Sequence, residues 1–146
     1  MQAKCQSSKG QVIIEFAILL PILVFLIGGL IELGILFYNK QVLANASREA
    51  ARAGIVYLLD KSGNKIVPDI DTIVQNYCKD RLLTFGGTAT PSVAVTPALA
   101  ALQYPNDLTV SVSFQYNLLI PSVLNMFGGN FGPTLNIAGV TIMKAE

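Results

Sequence analysis

The sequence predicts an α+β chain: a long N-terminal transmembrane helix, about residues 12–59, running on into a small domain with a second helix and a short antiparallel sheet. Three observations predict it. No charged residue occurs from Phe16 to Ile31, and Glu32 is the only one between there and Tyr38. Ile70, Ile73, Val74, Tyr77 and Cys78 recur at i, i+3, i+4, i+7 and i+8, the spacing of one helix face. Leu108, Val110, Val112, Phe114 and Tyr116 alternate with Thr109, Ser111, Ser113 and Gln115, the pattern of a strand with one buried face.

The elements follow in order. Residues 1–10 form a short polar leader carrying Lys4 and Lys9. Residues 11–38 are the transmembrane half of the helix: Phe16 to Tyr38 covers ~34 Å, against about 30 Å of bilayer hydrocarbon. The run is far longer than the ~7–15 apolar residues of a secretory signal. Ala44-Asn45-Ala46 resembles a signal-peptidase site, but it falls inside a pattern that continues as helix. Residues 39–59 are the half of the helix beyond the span, without Pro and with Gly54 alone among glycines. In all, the helix would measure ~70 Å.

Two features of this helix admit two readings each. Pro21 removes the backbone bond to Ala17, so it kinks or melts the helix on packing, or is simply a tolerated membrane proline. Ala46, Ala50 and Gly54, four apart, line one face. Such a stripe covers the chain's own domain, lets a neighbouring helix approach closely, or does each along a different stretch.

Residues 60–146 form the small α+β domain. Lys61 to Lys65 reads as a turn, and Pro68-Asp69 opens the second helix, with Cys78 on its buried face. Cys78 is there a small apolar filler or, alternatively, one half of a disulfide between subunits. Phe85-Gly86-Gly87-Thr88 breaks the pattern, Ser92 to Val95 is a short strand, and Leu135 to Met143 a further, less regular one. Leu118 to Pro133 is apolar, Gly-rich and uncharged. It touches the membrane surface or a neighbouring subunit, or lies as a loop over the sheet.

Composition narrows the function. The 146 residues are 52% hydrophobic and 13% charged, with a net charge of +1 and no histidine. Length suits one domain plus an anchor. Without histidine there is no Ser-His or Cys-His pair and no His-containing metal site. Two cysteines, Cys5 and Cys78, are too few for a thiolate cage. No basic patch suggests nucleic acid. Asp60, Asp69, Asp71, Asp80 and Asp107 form no motif, and Asp69 and Asp71 read as helix-start residues. The chain is therefore expected to be no enzyme and to carry no cofactor and no metal.

Glu15 is the most informative residue. A carboxylate at the start of a membrane span is costly and points to a function, or else it sits at the headgroup boundary where charge is tolerated. A cut after Gly10 would make Gln11 the N-terminus and Glu15 the fifth residue. Glu32, near the far end of the span, either reaches the interface or pairs with a neighbour's basic residue. Lys4 and Lys9 precede the span while Lys40, Arg48 and Arg52 follow it, so charge counting does not fix orientation.

The stretch Lys9-Gly10-Gln11-Val12-Ile13-Ile14-Glu15-Phe16 resembles a type IV prepilin processing site. The longer run through Ala17-Ile18-Leu19-Leu20-Pro21, Glu32-Leu33-Gly34, Phe37-Tyr38, Gln41 and Arg48-Glu49-Ala50-Ala51-Arg52 resembles the TadE-like family of pseudopilins of the Tad/Flp pilus machinery. The resemblance covers Lys9 to Ala53 and the final strand through Glu146; Ile35 departs from it, standing where a basic or polar residue is expected. It implies a pilin-like fold and a pilin-like subunit, minor or pseudopilin, supporting pilus assembly. It also implies cleavage between Gly10 and Gln11 by a prepilin peptidase. The N-terminus would be cytoplasmic, residues 39–59 and the domain 60–146 extracytoplasmic, and the chain held in the inner membrane or built into a surface pilus. Other pilins or pseudopilins would be its partners through the N-terminal helix. In such assembly Glu15 would pair with the freed ammonium of a neighbour, neutralising both in low dielectric. Two alternatives are an uncleaved membrane-anchored binding or scaffold protein and the main filament subunit.

Overall fold

The structure, a computed structural model, describes residues 8–56, 58–59, 65–85, 90–99, 106–126, 128–130, 132 and 134–144. Helix α1 spans Ser8–Ile55, 48 residues, so it begins and ends four residues earlier than the sequence suggests. The helix stops where β-branched Ile55 and Val56 favour extended backbone. Instead of a last helical turn, Leu58–Leu59 form strand β1, paired antiparallel with β2, Lys65–Ile66, in the register Leu58 to Ile66. Of the turn expected over Lys61 to Lys65 only Lys65 is described, as the first residue of β2, and most of the break expected over Phe85 to Thr88 lies outside the described residues.

Helix α2, Ile70–Cys78, falls where its periodicity places it. Asp69 caps it, accepting the Thr72 N–H at 3.3 Å and the Thr72 hydroxyl. Ile70, Val74 and Cys78 are its buried residues. Beyond it, Arg81 stacks 4.4 Å from the Tyr77 ring centroid and donates to the Tyr77 carbonyl at 2.9 Å.

Strands β3 (Ser92–Thr96), β4 (Asp107–Asn117) and β5 (Thr134–Lys144) make an antiparallel sheet in the order β3-β4-β5. The alternation in β4 has its expected result. Leu108, Val110, Val112, Phe114 and Tyr116 are buried, and the intervening residues take the other face. The core joins them to Val42, Leu43, Ala46, Ala50 and Ala51 of α1 and to the buried face of α2. The sheet therefore packs on the C-terminal half of the long helix, as an α+β layer arrangement requires.

Helix and sheet touch backbone to backbone at one point. A Cβ built on Gly139 of β5 would lie 2.6 Å from the Ala44 nitrogen and from the Leu43 carbonyl carbon. Only glycine permits that approach. Beside it, the Ser47 hydroxyl lies 2.7 Å from that of Thr141 and also donates to the Ala44 carbonyl at 2.9 Å. Asn39, fully buried, donates to the Leu83 carbonyl at 2.8 Å and accepts the Leu83 N–H at 2.9 Å. One amide side chain thus completes the backbone bonding of an otherwise irregular segment.

The uncharged stretch after β4 is not only a loop. Leu119–Met126 form helix α3, with Pro121 in the first turn, where a missing N–H costs nothing. Gly128, at φ 91°, donates to the Asn125 carbonyl at 3.1 Å just beyond its end.

Candidate assembly surface

From Gly10 to Ile27 every residue of α1 is exposed. An 18-residue window of this helix has a mean hydropathy of 2.6, and none of it is buried within the chain. Val12, Ile13, Phe16, Ile18 and Leu26 each leave more than half of their surface uncovered. So much apolar surface needs another apolar phase, either lipid or the helices of other subunits.

The residues singled out near the N-terminus lie on this bare rod. Gly10, Gln11 and Glu15 are exposed, and a Cβ added at Gly10 would meet nothing within 4 Å. Because α1 starts at Ser8, the Gly10–Gln11 bond is helical. The helix runs through Pro21 without a break. Ala46, Ala50 and Gly54 are all buried against the chain's own sheet. A Cβ on Gly54 would come 2.6 Å from Leu108 Cδ2 and 3.0 Å from Leu99 Cδ2. Each of the three is covered by this chain's own residues.

Glu32 is bound within its own chain. It is 6% exposed, and its carboxylate accepts the Leu119 N–H and, at 3.2 Å, the Ile120 N–H. These are the first two amides of α3, which lack acceptors inside their own helix. A carboxylate there satisfies them and meets the positive end of the helix dipole. Beside it, Tyr116 is fully buried and its hydroxyl has no hydrogen-bond partner among the described residues. Burial pushes the Tyr116 phenol up, and the negative charge of Glu32 adds to the effect. Ile120 packs over Gly28 and Gly29, whose added Cβ atoms would lie 3.7 and 3.6 Å from its Cδ1. The domain thus reaches back into the half of α1 that the sequence reserves for the membrane.

Sequence reasoning missed α3, the buried Asn39 and the partner of Glu32. The signal for α3 was Leu118-Leu119-Ile120-Pro121, where a proline two residues into an apolar run marks a helix start. Nothing local signals Glu32 or Asn39, because their partners are 87 and 44 residues away.

The remaining chemistry is sparse. Cys78 is buried, and desolvation holds its thiol above the ordinary range, with Arg81 opposing weakly. That environment suits the filler reading. A cavity of about 470 Å³ beside the sheet is lined by Thr84, Phe85, Ser92, Ser113, Gln115 and Asn136 among others, none of them an acid or a base. Among the described residues no three His, Cys, Asp or Glu side chains gather at one point.

Residues 10–52 match the family model described as TadE-like protein, the family that the sequence resembles. The match begins at the glycine before Gln11 and ends within the stretch of α1 that packs on the sheet. No curated protein and no solved structure matches the chain.

Proposed function

We propose that this chain, whose residues 10–52 match the TadE-like family, is a pilin-like subunit that supports assembly of a Tad/Flp-type pilus. A prepilin peptidase cuts it after Gly10, and it acts as a structural subunit, not an enzyme. The observation that carries the reading is the bare apolar helix from Gly10 to Ile27 with Glu15 near its start. After cleavage, the ammonium of Gln11 and the carboxylate of Glu15 sit one helical turn apart on a surface built to be covered. Among packed subunits, each carboxylate meets the ammonium of the next, so neither charge remains alone in low dielectric. The N-terminus faces the cytoplasm and the sheet domain the other side of the inner membrane. Because Ser8 to Gly10 are helical, the peptidase has to unwind this turn to reach the bond.

Intact-mass measurement of the membrane-extracted protein, from cells with and without the peptidase, tests cleavage. The expected result is loss of residues 1–10 only when the peptidase is present. An intact Met1 in both would leave an uncut anchor with a small domain. Glu15→Gln should be processed normally yet lower incorporation into the assembly at least about tenfold, the ratio that 1.4 kcal/mol corresponds to. Abundance of the variant at wild-type level throughout an assembly would identify the main filament subunit and remove the charge pair.

A further inference from the structure

We propose that α3 is a second membrane contact, an interfacial helix lying in the leaflet at the Tyr38 end of the span and held there by Glu32. The inference is independent of whether the chain is cleaved or assembles into a pilus.

The depth follows from what α3 touches. Glu32 holds its first amides, and Ile120 packs on Gly28 and Gly29. Beyond that contact the other side of α1 is still apolar and uncovered: Leu30, Ile31, Leu33 and Phe37 are 64%, 59%, 52% and 70% exposed. Tyr38 and Lys40 follow, an aromatic and a cation of the kind that settle at headgroup level. Measured along α1, Glu32 lies ~9 Å and Gly28 ~15 Å on the membrane side of Tyr38. Interfacial helices bury their apolar faces about 5–10 Å deep. The lipid that covers Leu33 and Phe37 on one side of α1 therefore reaches α3 on the other.

The chemistry of α3 agrees with that depth. Leu119–Met126 contains no charged residue, and Leu119 and Val123 are 42% and 44% exposed. The polar cost of a helix start in lipid is its free amides. Here the Glu32 carboxylate accepts two of them, Pro121 has none to offer, and the negative charge of Glu32 is met by the helix dipole instead of by hydrocarbon. A loop with bare backbone could not lie at this level; a capped, uncharged helix can.

The chain has no tryptophan, so one can be introduced as a depth probe. The full chain is placed in phosphatidylcholine vesicles containing lipids brominated on their acyl chains. Val123→Trp and, independently, Leu119→Trp should be quenched at least about twofold relative to unbrominated vesicles. Quenching should be strongest with bromines near the headgroup end of the chain. Ile22→Trp serves as the mid-span reference and Ala138→Trp, on the exposed face of the sheet, as the aqueous one. Emission from both α3 probes like that of Ala138→Trp overturns the proposal. So does blue-shifted emission that bromolipids do not quench, which would place a second copy of the protein over α3.

Discussion

The backbone contact at Gly139 turns a general rule about glycine into a quantitative contrast. An alanine there would push its methyl against the Leu43 and Ala44 backbone, which belongs to a long helix and cannot yield locally. At Gly54 the added methyl would meet the tips of Leu108 and Leu99, which can turn aside, and helix propensity would favour alanine by about 1 kcal/mol. Gly139→Ala should therefore destabilise the domain by about 1–3 kcal/mol, and Gly54→Ala should stay within about 1 kcal/mol of the natural chain. Urea unfolding in detergent micelles measures both. Equal losses would show that the sheet can slide on α1.

At the same scale, legibility divided by partner distance. The β4 alternation was readable because it carries its meaning within a few neighbours. Glu32 and Asn39 were not. Polar residues on a long apolar helix suggest solvent or another subunit, yet both are buried and bound to backbone of this chain. The information that makes them inward-facing sits at Leu83 and Leu119, and no local pattern carries it.

Among elements, α2 shows how a short helix depends on its cap. Thr72 donates to the Asp69 carboxylate from both its hydroxyl and its amide, which holds that carboxyl below its usual value of 3.8. A carboxylate with a depressed folded pKa stabilises above its unfolded pKa, and the contribution is lost as pH falls through the folded value. The stability gap between the natural chain and Asp69→Ala should accordingly narrow when unfolding is compared between about pH 6 and about pH 2. A constant gap would mean that the cap works without its charge. Strand β4 and helix α2 were legible because period two and period 3.6 are written in their own residues. Helix α3 was not, since eight residues give barely two turns of pattern and its start is capped from a distant residue. The end of α1 was misplaced for a related reason. Residues up to Leu59 tolerate a helix, but pairing of Leu58 with Ile66 offers them a strand.

In the whole molecule, α1 is one rod on which two docking points share a face. Glu32 and Leu43 are separated by about three turns, so α3 and β5 both meet the same side. Inserting one alanine after Gly34 would turn everything before it by about 100° relative to the sheet. The sheet should stay folded on Leu43 while α3 loses Glu32. Amide hydrogen exchange at Leu119 and Ile120 should quicken at least about tenfold, with β4 and β5 still protected. Unchanged exchange at these two amides would show that α3 keeps its place by itself.

The order of synthesis gives the Glu32 contact a time dimension. Its carboxylate is made 87 residues before the first amide that binds it. At about 5–20 residues per second, that is an interval of about 4–17 s. Throughout it, the acid stands beside an apolar run with none of the donors that later hold it. Water and headgroups are then its available ligands, which favours a shallow resting position for this turn of the helix. On the membrane placement proposed for α3, the final depth of the rod would be settled late, when the C-terminal third arrives and exchanges those ligands for the start of α3.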